Sequence, residues 1–343
     1  MAKEYNGSFM SREFPTRLFV GRAYELLPEL LPKGRVVVIT DANIDRLYPD
    51  LVRGYEHIII GVGEASKSLT TVDTLYRRLM DMGADRSTFI LGIGGGIVTD
   101  VAGFVASTYM RGLDFGFVST TLLGQVDASI GGKNGVNVLD YKNMVGTFSH
   151  PRFVVADVEM LRTLPLRELR AGMAEVVKSA IVGDRALFDY IAEHITDDIY
   201  TNTAVMNDVV SRSVAVKIDV VSQDECEKGL RRILNLGHTI AHAIEKCTHS
   251  LNHGEAVAIG LALMSRAAVR FGTMDAEDAK RIEEVLIELG FDLTLPVALS
   301  TMLREVRHDK KKHDNILRAV LPECIGRCRV VEMPFDEFEK LFV

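Results

Sequence analysis

Tryptophan is absent from the 343-residue chain, and cysteine is scarce, with only Cys226, Cys247, Cys324 and Cys328. Four scattered thiols in so long a chain do not form a disulfide framework, and without a CxxC pair they do not read as a metal site. They read as small buried hydrophobes in a protein kept in a reducing, cytoplasmic setting. No apolar run approaches the roughly 20 residues that cross a bilayer, and AVAIGLALM at 256–264 falls far short. The opening MAKEYNGSFMSREFPTR has no apolar core, so no secretory signal is read there. An excess of basic charge is missing too: 40 Lys and Arg stand against 47 Asp and Glu, a formal net charge of -7. That balance argues against a sequence-independent nucleic-acid binder, which needs a basic face, but leaves room for a local cationic pocket.

What is present is an ordinary globular composition, 47% hydrophobic and 25% charged. The length exceeds what one core usually organises, so two domains are expected. In the first half, apolar β-branched runs recur as RVVVIT (35–40), HIIIG (57–61), STFILGIGG (87–95) and FGFVSTT (115–121). Continuous rather than alternating apolar runs predict strands buried on both faces, as in a parallel sheet covered by helices. Helical segments such as SLTTVDTLYRRLMDMG lie between them, which gives an α/β, Rossmann-like domain. From Pro165 onward the period becomes helical, and the strand-like FVVAD followed by LRTLP marks a boundary near 155–165. The expectation is a domain over 1–160 that is α/β and one over 161–343 that is mostly α-helical, with a cleft between them for ligands.

One strand-to-helix turn carries Gly94, Gly95 and Gly96 before IVTDVAGFVAST. Consecutive glycines there let backbone amides approach a pyrophosphate at a helix N-terminus, although such a turn is also a common structural device. Two other strand ends support a dinucleotide: TDAN at 40–43, where an acidic residue can meet a ribose, and GEASKSL at 63–69 with Glu64 and Lys67.

In the second half His238 and His242 are spaced i,i+4 on one helix face, and His253 opens the next helix. A lone histidine is usually a satisfied or solvated side chain, but three together are less easily set aside. Glu175, in the otherwise small and apolar RAGMAEVVK, is a carboxylate that is costly to bury without a cation. Two neutral imidazoles and one carboxylate suit zinc with an open position, and spacing alone does not choose which two of the three histidines bind. Cations and amides also crowd glycine-rich loops: Asp127 and Lys133 in QVDASIGGKNGVN, Lys142 and Asn143 in YKNMVG, and Lys178, Arg231, Asn235 and Lys310–Lys312 later on. A run such as DKKKHD is ordinarily a solvated face, whereas lysines set among glycines and apolar residues need an anionic or carbonyl partner.

Six segments together resemble the 3-dehydroquinate synthase family of sugar-phosphate cyclases. They are GGGIVTDVAGFVASTYMRG (94–112), STTLLGQVDASIGGKNGVN (119–137), YKNMVGTF (141–148), TLPLRELRAGMAEVVK (163–178), DECEKGLRRILNLGHTIAHAIE (224–245) and LNHGEAVAIG (251–260). The resemblance implies a homodimer that uses NAD and Zn2+, or Co2+, to convert 3-deoxy-D-arabino-heptulosonate 7-phosphate to 3-dehydroquinate and phosphate. The implied course is oxidation of a ring hydroxyl, phosphate elimination, re-reduction, ring opening and aldol closure. It implies metal ligation by Glu175, His238 and His253. His242, Lys133 and Asn143 would face the phosphate, with Arg111 reaching in from a partner subunit and Lys310 the choice within the DKKKH stretch. Lys217 and Arg231 would grip the carboxylate, and Asp127, Lys178 and Asn235 would surround the sugar hydroxyls. For NAD the implied positions are Asp41, Asn43, Glu64, Lys67, Gly95, Gly96, Asp100, Thr120, Thr121 and Lys142.

The chain departs from the family's commoner residues at Thr99 (Gly), Gly124 (Ala), Ala128 (Ser) and Asn134 (Thr), none of them an implied ligand. Two other enzyme classes share parts of this pattern. A cyclase for a different sugar phosphate, of the aminocyclitol or valiolone type, would lack the need for the Lys217 and Arg231 pair. A metal-dependent polyol dehydrogenase would lack the need for Lys133 and Asn143 and would accumulate NADH. A non-catalytic binding protein explains neither the metal-like triad nor its company with a dinucleotide half.

Overall fold

The apolar runs of the first half become strands of one seven-stranded sheet. In the computed structural model the described residues are 2–11, 14–139, 141–196, 199–248, 250–310 and 316–342, the side chains of 7–11, 14, 309 and 310 excepted. Along the chain come β1 (Lys3–Ser11), β2 (Phe14–Val20), α1 (Ala23–Leu30), β3 (Val36–Asp41), α2 (Ala42–Leu47), α3 (Pro49–Val52), β4 (Glu56–Ile60), α4 (Leu69–Asp81), β5 (Phe89–Gly94), α5 (Gly96–Thr108) and β6 (Phe115–Ser119). The hairpin β7 (Lys133–Val138) and β8 (Tyr141–Phe148) precedes β9 (Phe153–Ala156). The sheet order is β1-β2-β9-β6-β5-β3-β4; only β1–β2 is antiparallel, and the hairpin β7–β8 stands apart from it.

Position in the sheet explains burial better than composition does. The inner strands β5, β6 and β9 are buried throughout, as two-sided coverage requires. The EHIII strand is as apolar as its neighbours, yet it lies at the sheet edge, and Ile59 is 44% exposed. Phe19, Val38, Leu91, Ile93, Val118, Phe153 and Val155 form the core of this layer, with Leu27 and Met160 packed onto it.

The rest of the chain is mainly helical. It runs α6 (Leu166–Gly183), α7 (Arg185–Glu193), α8 (Thr203–Gln223), α9 (His238–Cys247), α10 (His253–Phe271), α11 (Ala276–Glu288) and α12 (Leu299–Lys310). A hairpin of β10 (Ile316–Cys324) and β11 (Arg327–Pro334) follows, then α13 (Phe335–Lys340). Two compact units result: Met1–Pro165 with Met206–Glu225, and Leu166–Val205 with Cys226–Val343. The first unit thus takes up most of α8, which a reading in sequence order assigns to the helical half. Helix α10 is the hub of the second unit, packing on α6, α9, α11 and β10. Among the described residues no helix is long and apolar enough to cross a membrane.

Candidate active site

In the second unit three helices bring one carboxylate and two imidazoles together. Glu175 lies fully buried in α6, His238 is the first residue of α9, and His253 is the first of α10. The Nε2 atom of each imidazole is 3.5 Å from Glu175 Oε1, and one ligand atom from each of the three residues lies within 4.8 Å of the others. The far ring nitrogens have acceptors of their own. His238 Nδ1 is 3.1 Å from the Leu236 carbonyl oxygen, and His253 Nδ1 is 3.5 Å from Glu245 Oε1. A ring nitrogen beside an acceptor carries the proton, which leaves Nε2 of each ring as the atom that would bind a metal beside the carboxylate. This donor set, a buried carboxylate and two half-buried imidazoles converging on one point, fits zinc or cobalt with coordination positions left over for a substrate oxygen.

The helices reach this closeness through missing side chains. A first side-chain carbon on Gly254 would stand 2.2 Å from Ala171 Cα, one turn before Glu175 in α6. Another on Gly260 would stand 2.2 Å from the carbonyl oxygen of Gly237, the residue before His238. Helix α10 therefore touches α6 and the start of α9 backbone to backbone. Its own start is fixed by a capping box, in which Asn252 Oδ1 accepts from Glu255 N–H (2.9 Å) and Glu255 Oε2 accepts from Asn252 N–H (2.8 Å). Arg167 of α6 grips the same Glu255 with two hydrogen bonds of 2.8 and 2.7 Å.

Electrostatics differentiates the two imidazoles. Burial, partly opposed by Glu175, pushes His238 down to about 3, so it stays neutral and ready to donate a lone pair. Burial acts on His253 in the same direction, but its contacts with Glu175 and Glu245 outweigh it and hold the ring up at about 9. Lys178, one turn on from Glu175, forms an ion pair with it, and both side chains are 1% exposed. Such a pair avoids the several kcal/mol that a lone buried charge costs. His242 stands beside the triad, its ring centroid 5.6 Å from that of His238 and 6.3 Å from that of His253. Arg231 is 2% exposed in the 3-10 turn Leu230–Asn235, and Asn235 Nδ2 donates to Glu227 Oε1 at 2.5 Å. The side chain of Lys310, at the end of α12, and residues Lys311 and Lys312 lie outside what the structure describes.

The remaining candidates of the first unit include several at or just after strand ends. Asp41 caps α2, its Oδ1 accepting from the Asn43 (2.9 Å) and Ile44 (3.1 Å) N–H groups, while the Asn43 side chain is exposed. Gly95 is the cap residue of α5, and a side chain on it would meet Thr121 Cγ2 at 2.7 Å. Gly96 begins the helix, and Thr120 N–H donates to the Gly94 carbonyl (3.0 Å). Lys67 is buried and ion-paired with Asp100, whose carboxyl is pushed up to about 6 by burial against the pull of that lysine. Lys217 of α8 is also buried and meets Asp127 Oδ1 at 2.5 Å. Lys133, Lys142, Asn143 and Glu64 are exposed, and so is Arg111 at the end of a 3-10 turn. Arg111 and Asn143 have left-handed backbones (φ 70° and 56°), conformations that non-glycine residues seldom hold outside functional turns.

At two of the positions where the chain departs from the resembled family, the side chain present finds local hydrogen bonds. Thr99 Oγ1 donates to the Gly96 carbonyl at 3.0 Å. Asn134 is buried, its Nδ2 donating to the carbonyls of Gly132 (3.0 Å) and Ser149 (2.8 Å).

Sequence reasoning passed over Glu227, Glu245 and the close-contact glycines. Glu227 lies inside a quoted motif and has a left-handed φ of 57°, but nothing in its spacing announces that Asn235 will meet it.

Two family models and several known proteins match the chain. The family model described as 3-dehydroquinate synthase N-terminal matches residues 57–171, and that described as 3-dehydroquinate synthase C-terminal matches 172–312. A 3-dehydroquinate synthase of Dictyoglomus thermophilum is 38% identical over 339 residues, covering 96% of this chain and 94% of that protein. Among solved structures, a 2-epi-5-epi-valiolone synthase of Streptomyces hygroscopicus subsp. jinggangensis with NAD+ and Zn2+ bound superposes with a TM-score of 0.86 at 28% identity, covering 97% of each chain. A 2-deoxy-scyllo-inosose synthase complexed with carbaglucose-6-phosphate, NAD+ and Co2+ gives 0.88 at 26% identity, covering 99% of each.

Proposed function

The chain belongs to the 3-dehydroquinate synthase family, and from that premise we propose how its residues divide the work. The enzyme is an NAD- and divalent-metal-dependent lyase that converts 3-deoxy-D-arabino-heptulosonate 7-phosphate to 3-dehydroquinate and phosphate. Glu175, His238 and His253 would hold zinc or cobalt, and their convergence from three helices is the observation that carries the reading. Bound there, the metal would supply Lewis acidity at a substrate hydroxyl, and NAD would supply a reversible hydride acceptor.

The protein's own side chains do the rest. Arg231 and Lys217 receive the substrate carboxylate, a guanidinium offering two parallel donors and a buried ammonium adding charge. Asp127, already ion-paired with Lys217, faces the sugar hydroxyls with Lys178 and Asn235. Lys133, Asn143 and His242 take the phosphate, and Lys310 joins them. In the nucleotide half Asp41 and Asn43 receive a ribose, the Gly95–Gly96 turn the pyrophosphate, and Glu64, Lys67, Asp100, Thr120, Thr121 and Lys142 complete the cradle.

A second copy of the chain is part of the proposal, contributing Arg111 to the phosphate. The exposure of Met110, next to Arg111 in the chain, and of Leu139, Tyr141, Met144 and Phe148 in the β7–β8 hairpin supports an apolar contact with that copy. Free thiols at Cys226, Cys247, Cys324 and Cys328 support a reducing, cytoplasmic setting.

The test is a balance of products. With the heptulosonate phosphate and substoichiometric NAD, the enzyme should release one phosphate per substrate with no standing NADH. Accumulating NADH would identify a dehydrogenase instead, and activity on a sugar phosphate without a carboxylate would identify another cyclase.

A further inference from the structure

Asn137 holds no role in that scheme, yet its polar contacts reach both the nucleotide loop and the bulge that carries Asn143. Its backbone N–H donates to the Lys67 carbonyl (2.9 Å), and it forms a bridge with Ser68. Its side-chain Nδ2 donates to Glu64 Oε1 (2.7 Å), and its Oδ1 accepts from the Asn143 N–H (2.9 Å). The amide orientation is forced, because a carboxylate accepts only and an N–H donates only.

The hairpin makes that side chain necessary. Val136 pairs with Val145 and Val138 with Tyr141, so one step past Asn137 is matched by a longer stretch of β8 that holds Lys142, Asn143 and Met144. The surplus forms a bulge in which Asn143 is left-handed. An N–H in such a bulge has lost its cross-strand acceptor, and Asn137 Oδ1 takes its place. The same amide reaches the Glu64–Ser66 turn, next to the Lys67 and Asp100 ion pair.

We propose that Asn137 is a positioning residue that yokes the nucleotide loop at Glu64–Lys67 to the bulge that presents Asn143 to the substrate phosphate, so that ordering one presets the other. The inference rests on the assignment of Glu64 to NAD and of Asn143 to the substrate phosphate. It adds a linkage between the two that neither assignment contains.

Single variants separate the two arms. N137D keeps the acceptor for the Asn143 N–H but sets a carboxylate against Glu64, so NAD affinity should fall roughly 10-fold while the substrate KM moves less than 3-fold, the scale of a single hydrogen bond. N137A cuts both arms and should raise the NAD Kd and the substrate KM together, each roughly 3- to 10-fold. In N137D/E64Q the amide introduced at position 64 can donate to the new carboxylate, so N137D should cost markedly less NAD affinity in the E64Q background than in the parent. NAD+ binding to the full chain is read by titration calorimetry and substrate KM by phosphate release, with thermal unfolding as the check that each variant is folded. An equal cost of N137D in both backgrounds, or an N137A chain with both constants unchanged, overturns the yoke. If E64A itself leaves NAD affinity untouched, the nucleotide assignment fails first and takes the linkage with it.

Discussion

Gly254 and Ala171 meet backbone to backbone: a methyl group on Gly254 would lie 2.2 Å from Ala171 Cα and 2.3 Å from its carbonyl oxygen. Neither backbone can give way locally, because both are inside regular helices. The contact fixes the spacing between the helix that carries Glu175 and the helix that begins with His253. Gly254→Ala should therefore push α10 off α6, at a cost of about 1–3 kcal/mol for overpacking. The 3.5 Å approach of His253 to Glu175 should be lost with it. Thermal unfolding and metal analysis of the purified variant check this. A variant that melts like the parent and keeps its metal would show that the glycine does not set the site.

His253→Ala tests the ligand set directly. The ring is partly exposed, so its removal opens little cavity, while a metal left with Glu175 and His238 loses one of three protein donors. Metal content and activity should fall together, with the fold retained. Unaltered zinc in the variant would refute the assignment. Replacing His242 instead should leave the metal in place and lower activity, which separates the neighbour from the ligands.

The sequence made the strands and the histidine cluster readable, but it could not show where each would sit. RVVVIT and HIIIG look alike as apolar runs, and only the strand order makes one interior and the other an edge with Ile59 open to solvent. The three histidines announced a site by their density, yet choosing His253 over His242 needed a family resemblance, because i,i+4 spacing points to His238 and His242 equally well. The geometry then groups His253 and His238 around Glu175 through contacts among three helices. Gly254 and Gly260 were invisible as determinants, since a small residue in a helix signals close approach only once the partner backbone is known. Long-range pairings such as Lys217 with Asp127, 90 residues apart in number, have no periodic signature. The placement of most of α8 with the first unit is a fact of the same kind.

Arg231→Ala probes the carboxylate grip. The side chain is 2% exposed and held in a short turn next to Asn235, whose amide is fixed by Glu227. Charged hydrogen bonds contribute about 1.5–3 kcal/mol, so the substrate KM should rise by roughly 10- to 100-fold. Metal content and NAD affinity should stay near those of the parent. An unchanged KM would remove Arg231 from the substrate site. A loss of metal instead would make it a structural support of the second unit.

The Asp100 carboxyl gives a pH dependence with a definite sign. Burial raises it to about 6, with the Lys67 ion pair opposing, whereas an unfolded aspartate titrates near 3.9. Between those values the folded chain holds a proton that the unfolded chain has released. Stability from this group therefore decreases as pH rises through the window from about 4 to about 6 and is level above it. Asp100→Asn carries no such proton, so the comparison isolates the group from the chain's many other carboxylates. Relative to the variant, the parent should lose about 2–3 kcal/mol of unfolding free energy between about pH 4 and about pH 7, a ceiling because the side chain keeps 17% of its exposure. Urea unfolding of both chains across that range measures the difference. The variant also leaves the buried Lys67 ammonium without this carboxylate, which shifts the whole difference by an amount that hardly changes with pH in this range. The slope is therefore the quantity to read. A difference that stays flat, or one that grows in the parent's favour as pH rises, would mean that the lysine's pull outweighs burial and that Asp100 is ionised throughout.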